Sequence, residues 1–181
     1  MTPAIIVATN AKIPSRLKQY EQDTTASACG LERVEKLSLD PGRVFKVLIF
    51  EMPQKRFAVA ALPVTQQLDL KACARIIGEE ARRADSADAE RISGHPIGGI
   101  SPLQHRHQLS LLIDVSAPFF DSIFVSAERW SLERELAAHD RARLTTARLT
   151  TLKKLIMARS PSPAIHLHRP WVHCTTNRLV A

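Results

Sequence analysis

Residues 44–50 have the sequence Val44-Phe45-Lys46-Val47-Leu48-Ile49-Phe50, in which β-branched, aromatic and aliphatic side chains surround a single lysine. This composition predicts a buried β-strand. Residues 52–56 can turn the chain back, and the apolar residues 57–62 are then the hairpin partner of this strand. The two runs together predict a β-hairpin.

Strand and helix signals alternate irregularly on both sides of this hairpin. Before it, residues 15–21 alternate as a strand, and Leu31, Val34 and Leu37 recur at helical spacing. After it the sequence predicts a helix over 71–77 ended by Gly78, a short strand and a short helix within 79–91, and strands at 109–113, 122–126 and 133–136. A short helix capped by Thr2 is expected at the start. Helices interleaved with hairpin-like strand pairs predict an α/β fold of the α+β type, with a mixed sheet and helices packed on it.

The composition is that of a globular chain without a membrane span. The 181 residues are 45% apolar and 24% charged, which is enough to bury one core. No apolar run approaches the roughly 20 residues that a bilayer requires, so a membrane protein is excluded. The first residues carry no basic region ahead of an apolar stretch, and the three cysteines are widely spaced, as suits a reducing compartment. We therefore expect a cytoplasmic protein.

The excess positive charge lies near the C-terminus. Residues 141–181 contain eight Lys and Arg and no Asp or Glu, which leaves 17 basic and 18 acidic residues in 1–140. A nucleic-acid interpretation from charge alone therefore applies only to this tail. Its apolar residues between 144 and 156 have helical spacing, and the Ser-Pro-Ser-Pro at 160–163 ends any helix. We divide the chain into a domain over 1–140 and a basic C-terminal extension over 141–181 that starts as a helix and continues irregularly.

Lys46 interrupts the buried strand and has two interpretations. A buried ammonium is costly unless it is paired or faces a cleft. The simpler interpretation, which the residue types alone favour, is an edge position with the amine extended to water. The functional interpretation is a fixed positive charge at the mouth of a pocket, where it can bind phosphate or stabilise a developing oxyanion.

Two loop motifs are further candidates for a site. The adjacent glycines of Gly98-Gly99-Ile100-Ser101-Pro102 let the backbone approach a ligand and aim N–H groups at it. Most such pairs are ordinary turns, and the spacing matches no phosphate loop. Ser126-Ala127-Glu128-Arg129 follows a strand end, where loops often carry function, although the sequence alone favours a polar surface turn.

No metal site or catalytic triad is predicted from the remaining chemistry. The close pairs His105/His107, His166/His168 and His173/Cys174 fit no recognised zinc spacing. No Gly-x-Ser-x-Gly motif occurs, and no cysteine outside the tail has a histidine nearby in sequence. We expect no cofactor.

From Thr2 to about Asp140 the chain resembles the YbaK-type Cys-tRNA(Pro) deacylases, relatives of the editing domain of bacterial prolyl-tRNA synthetases. The stretches that carry this resemblance are unspecific singly but occur in the family's order and spacing. They are Thr2-Pro3-Ala4, Tyr20-Glu21, Val44-Phe45-Lys46, Ala58-Val59-Ala60 with Pro63-Val64, Gln67-Leu68-Asp69-Leu70-Lys71, Gly98-Gly99-Ile100-Ser101-Pro102-Leu103, Ile113-Asp114, Phe124-Val125-Ser126, and Arg129, Leu132 and Glu135-Leu136-Ala137.

The resemblance implies a fold, an activity and a set of site residues. The implied fold has a mixed, strongly curved β-sheet flanked by helices. Lys46 corresponds to the family's key lysine and is the expected catalytic residue. The expected substrate-binding residues are Tyr20, Gly98, Gly99, Ile100, Ser101, Pro102, Ser126, Arg129 and Glu133.

The implied activity is the removal of amino acids from mischarged tRNA in trans. The expected substrate is Cys-tRNA(Pro), with Cys-tRNA(Cys) as a second one, and prolyl-tRNA synthetase is the expected partner. In the family mechanism the substrate thiol attacks its own ester, which needs no protein nucleophile. Water attack, as in alanine-directed relatives, stays open. The expected oxyanion donors are the N–H groups at Gly98-Gly99, with Lys46 orienting the ribose or phosphate.

Departures from the family pattern support a second hypothesis. Ala127-Glu128 and Trp130 replace small residues, and 104–108 has lost basic charge. Glu133 stands where an aspartate is usual, Cys29 where a phenylalanine is usual, and Val47 where a small polar residue is usual. An added acid beside a pocket for a polyanion is unfavourable. The alternative is therefore a non-catalytic member that binds tRNA or a synthetase, and a small-molecule hydrolase is a third, weaker interpretation.

Overall fold

The computed structural model describes residues 15–20, 29–103, 105–129, 131–137 and 147–154. Within these ranges the elements are β1 (Ser15–Gln19), α1 (Cys29–Lys36), β2 (Phe45–Met52), β3 (Arg56–Pro63), α2 (Leu70–Ile77), β4 (Arg82–Arg83), α3 (Ser86–Ser93), β5 (Ser110–Asp114), β6 (Ser122–Ser126), β7 (Leu132–Ala137) and β8 (Arg148–Thr150). Short 3-10 turns occupy Pro53–Lys55 and Ala117–Phe119. The helix expected at Thr2 lies outside the described residues.

The predicted hairpin is the centre of a five-stranded mixed sheet. Strands β2 and β3 pair antiparallel, from Phe45 opposite Pro63 to Met52 opposite Arg56. The strand order is β4-β2-β3-β5-β8, with β3, β5 and β8 parallel to one another. The predictions of the hairpin and of a mixed sheet are confirmed.

A second sheet of three antiparallel strands, in the order β1-β7-β6, stands beside the first. A single parallel bridge between Val44 and Phe124 joins the two sheets just before β2 begins. The expected curved sheet is therefore observed as two sheets, which also share a core cluster in which side chains of β6 and β7 pack with those of β2 and β3. Among the described residues, this division leaves part of the outer edge of β2 without a neighbouring strand.

Alternation along β2 buries its side chains on both faces. Phe45, Val47 and Ile49 enter the larger apolar cluster, whereas Phe50 packs in a second cluster that contains Cys73 of α2. Strands that are covered on both faces have continuous apolar sequences, as this one does.

The predicted helix α2 is confirmed at both ends: Asp69 accepts the N–H groups of Lys71 and Ala72, and Gly78 closes the helix at a φ of 82°.

The helix predicted between residues 144 and 156 is wrong at its centre. Arg148–Thr150 is an extended strand that pairs with Leu112–Asp114 of β5. Leu152 is fully buried in the second cluster, and its N–H donates to Asp114 Oδ2 at 2.9 Å. Pairing and burial outweigh helical spacing because propensity is a weak determinant beside tertiary contacts.

The strand β8 lies beyond the predicted domain boundary at residue 140 and still belongs to the packed sheet. The boundary itself stays a prediction, since 138–146 and 155–181 lie outside the described residues. No helix in the described ranges is long and apolar enough to cross a membrane.

Candidate active site

A cavity of about 430 Å³ lies against the unpaired part of the outer edge of β2. At one end of this edge β4 pairs with Phe50 and Glu51, and at the other end Val44 bridges to Phe124. The cavity between them is lined by residues of α1, β2, the start of α3, the loop at 97–100 and the end of β6. The meeting of the two sheets therefore creates the pocket.

Three cations line this pocket. They are Arg33 from α1, Lys46 from β2 and Arg83 from β4. None of the described lining residues is an Asp or a Glu. The pocket is therefore suited to a negatively charged ligand.

Lys46 is half-buried, and its ammonium donates to the carbonyl of Val64 at 3.1 Å. Burial lowers the pKa of this amine below its ordinary value, and the positive charge of Arg83 lowers it further. The side chain thus lines the cleft, as the functional interpretation requires. Its catalytic role stays a prediction.

Arg33 connects the pocket wall to a buried carboxylate. Its Nη1 donates to Ser126 Oγ at 2.6 Å and to Glu133 Oε1 at 2.9 Å, and both members of the ion pair are almost fully buried. The pKa of the Glu133 carboxyl is raised above its ordinary value, because the effect of burial exceeds the opposing effects of Arg33 and Ser126. Ser126 lines the pocket, whereas Glu133 stands behind it and does not.

The glycine loop contributes two of its five predicted residues to the lining. Gly98 and Ile100 face the cavity, and the Ser126 hydroxyl lies 3.3 Å from the Gly98 carbonyl, to which it can donate. Gly99 has another function: a Cβ placed there would lie 3.2 Å from the backbone of Arg129. Its N–H donates to the Pro96 carbonyl at 2.9 Å, so the expectation that Gly99 offers an oxyanion donor is wrong.

The other two residues of the loop face away from the pocket. The Ser101 hydroxyl accepts the N–H of Leu103, and its own N–H approaches His95 Nδ1 at 3.4 Å. Pro102 lines a small apolar cavity in the core.

Tyr20 and Arg129 also lie outside the lining. Tyr20 is half-buried at the end of β1, where its N–H donates to the Ser131 carbonyl at 3.0 Å. Arg129 is exposed in the turn between β6 and β7. Arg129 lies three residues beyond Ser126 of the lining. Contact of Tyr20 and Arg129 with substrate stays a prediction.

Comparison with known proteins identifies the family. The family described as "Aminoacyl-tRNA editing domain" matches residues 26–129. A protein of Enterococcus faecalis (strain ATCC 700802 / V583), EbsC, provisionally named a Cys-tRNA(Pro)/Cys-tRNA(Cys) deacylase, is 30% identical over 138 residues, 75% of this chain and 83% of its own. The chain belongs to the aminoacyl-tRNA editing domain family. This family acts on aminoacyl esters of tRNA, which places the chain among the aminoacyl-tRNA deacylases.

Solved structures share the fold of this editing domain. A structure of the hypothetical protein APE2540 superposes with a TM-score of 0.74 at 16% identity, covering 81% of this chain and 96% of the other. A structure provisionally described as a trans-editing enzyme for prolyl tRNA synthetase gives 0.72 at 17% identity, with coverages of 85% and 99%. At such identities the likeness shows the fold, which confirms the mixed architecture expected from the resemblance.

Glu128 does not stand in the pocket of the editing domain, contrary to the expectation that it places an acid beside the substrate. Its side chain is buried and its Oε1 lies 3.5 Å from His95 Nε2. Because His95 Nδ1 faces the Ser101 N–H, the ring proton belongs on Nε2, towards Glu128. Glu128 has a φ of 69°, a conformation that favours the small residue usual in the family. Trp130 and Gln104 lie outside the described residues.

Two of the three cations in the lining, Arg33 and Arg83, were not predicted as site residues from the sequence. Arg33 lies next to the apolar positions of α1, and a charged residue there is normally assigned to solvent. Arg83 belongs to a strand of two residues, and only the pairing of this strand with β2 shows which of the two side chains faces the pocket. Within the described ranges, no group of three or more His, Cys, Asp or Glu could hold a metal ion, and the histidines of the tail lie outside those ranges.

Proposed function

We propose that this protein deacylates mischarged Cys-tRNA(Pro) in trans, and Cys-tRNA(Cys) as a second substrate. The observation that carries the proposal is the cationic pocket around Lys46, in a chain of the editing family. The name of the Enterococcus relative, which covers most of the chain, supports the same substrates. The hydroxyl groups of the described lining are those of Ser86 and Ser126, and none of the described lining residues is a histidine or a carboxylate. Glu133 behind the lining lies 3.3 Å from Ser126 Oγ, but its Oε1 is held in the ion pair with Arg33.

In the proposed reaction the substrate supplies its own nucleophile. The cysteinyl thiolate attacks its ester carbonyl, a C–S bond forms, the C–O bond to the ribose breaks, and the ribose oxygen takes up a proton. The products are a cyclic thiolactone and free tRNA. Well-oriented intramolecular attack reaches effective molarities of about 10⁵ M or more, so positioning supplies much of the rate.

The protein's part in this reaction is orientation and charge stabilisation. The Lys46 ammonium holds the ribose or its phosphate, since Lys46 belongs to β2, whose edge lines the cavity. With the Gly99 N–H engaged by Pro96, the candidate oxyanion donors in the pocket are the Gly98 N–H and Lys46. Removing one oxyanion donor typically costs about 10²-fold or more in rate.

Single-turnover deacylation of Cys-tRNA(Pro) tests this proposal. Lys46→Ala should lose at least about 10²-fold in rate, whereas Lys71→Ala, at an exposed lysine of α2 away from the pocket, should match the wild type. Ala-tRNA(Pro), which has no thiol, should be deacylated far more slowly by the wild type. Equal rates for Cys-tRNA(Pro) and Ala-tRNA(Pro) would instead favour attack by water.

The non-catalytic alternative has lost one of its supporting observations. It drew on Glu128 as an acid in the pocket, and Glu128 is buried against His95 instead. A folded wild type that binds tRNA and releases amino acid only at the background rate would restore that alternative. Because residues 1–140 carry almost no net charge, we further propose that prolyl-tRNA synthetase supplies tRNA recognition. Adding the synthetase should then raise kcat/KM for Cys-tRNA(Pro).

A further inference from the structure

Strand β4 presents two adjacent arginines in different ways. Arg82 donates to Glu51 Oε1 at 2.8 Å, which ties it to β2. Arg83 points to the opposite side of the strand, as successive strand residues do, and lines the pocket. In the described part of the chain, the Arg83 side chain makes no hydrogen bond or ion pair. One arginine of the pair is thus structural, and the other is available to a ligand.

The charges around the pocket are not balanced without a ligand. Arg33 is neutralised by its buried ion pair with Glu133. Within the described ranges, the ammonium of Lys46 has the carbonyl of Val64 as its hydrogen-bond partner, and Arg83 lowers the pKa of Lys46 after the larger effect of burial. Two positive charges therefore share one cavity with no described carboxylate in its lining. An anion between them would relieve this repulsion.

We infer that Arg83 and Lys46 form an anion subsite for the phosphate on the 5′ side of the terminal adenosine of the aminoacylated 3′ end. The inference rests on the proposed function, in which the aminoacyl ester lies in this pocket. That phosphate is the anion nearest to the ester along the chain of the RNA. The planar guanidinium of Arg83 suits two phosphate oxygens, while Lys46 contributes a point charge.

Binding of adenosine 5′-monophosphate and of adenosine to the full chain tests the subsite without requiring catalysis. The wild type should bind the monophosphate about tenfold more tightly than adenosine. Arg83→Gln should remove most of this difference and leave adenosine binding unchanged. Arg82→Gln is the matched control, since it removes the same charge from the same strand, and it should retain the difference. Circular dichroism should show both variants folded.

Deacylation kinetics separate this inference from the proposed function. Arg83→Gln should raise KM for Cys-tRNA(Pro) about tenfold with little change in kcat, whereas Arg82→Gln should change neither. Wild-type deacylation that needs Lys46, combined with equal binding of monophosphate and adenosine, would overturn the subsite and leave the function standing. Monophosphate binding that needs Arg83 in a protein without deacylase activity would support the subsite and overturn the function. Equal losses in the two arginine variants would also overturn the subsite.

Discussion

At the scale of single residues, the wall of the pocket depends on one buried ion pair. Arg33 and Glu133 are 100 positions apart and meet at 2.9 Å, with Ser126 hydrogen-bonded to the same guanidinium nitrogen. Removing one partner leaves the other as an uncompensated buried charge, which costs more than the pair contributes. The pair is therefore a sensitive point of the fold as well as of the site.

Replacing Arg33 by methionine should lower the free energy of unfolding by about 3 kcal/mol, because Glu133 would stay buried without a counterion. Urea denaturation measures this loss. The double variant Arg33→Met, Glu133→Gln should recover most of it, since no unpaired charge then remains. A single variant as stable as the wild type would mean that the carboxylate finds other partners, and that the ion pair does not hold the wall.

At the scale of elements, the sequence pattern predicted those helices and strands whose contacts lie close together in the chain. The hairpin β2–β3 follows from two apolar runs around a tight turn, and α2 follows from Asp69 and Gly78 at its ends. The strand β8 could not be predicted in this way. Its partner β5 lies more than thirty residues earlier in a parallel pairing, and such pairing leaves no signal in either segment alone.

The candidate site likewise contains residues that a motif predicted and residues that only long-range packing brings there. The family resemblance placed Lys46, Gly98, Ile100 and Ser126 in one pocket, and the structure brings these four together. Arg33 reaches the pocket only because α1 packs across β6 and β7, so no pattern around residue 33 reveals it. Glu128 read as a pocket acid because a sequence does not show which way a turn directs a side chain.

The role of β8 leads to a prediction with a built-in control. Leu152 is fully buried beside β8, whereas Leu149 within β8 is 57% exposed. Leu152→Ala should lower the free energy of unfolding by about 3 kcal/mol through lost burial and the cavity left behind. Leu149→Ala should change it by less than about 0.5 kcal/mol. Chemical denaturation of both variants checks this. A loss of stability for Leu152→Ala as small as that for Leu149→Ala would show that the segment at β8 does not belong to the cooperative core.

At the scale of the whole molecule, β8 changes how the basic extension must be tested. Removing 141–181 would also remove β8 and Leu152, so a loss of RNA binding would be confounded with unfolding. Ending the chain after Lys154 keeps both and removes Arg159, Arg169 and Arg178 in a segment without acidic residues.

If this segment binds RNA, its loss should weaken tRNA binding and reduce the slope of log affinity against log salt by about two, since each phosphate contact contributes roughly 0.7 to 0.9. The full chain with the three arginines changed to glutamine should reproduce both effects, which assigns them to charge. An unchanged affinity and an unchanged slope in the shortened chain, with its unfolding transition intact, would show that tRNA is held by the pocket and its surroundings alone.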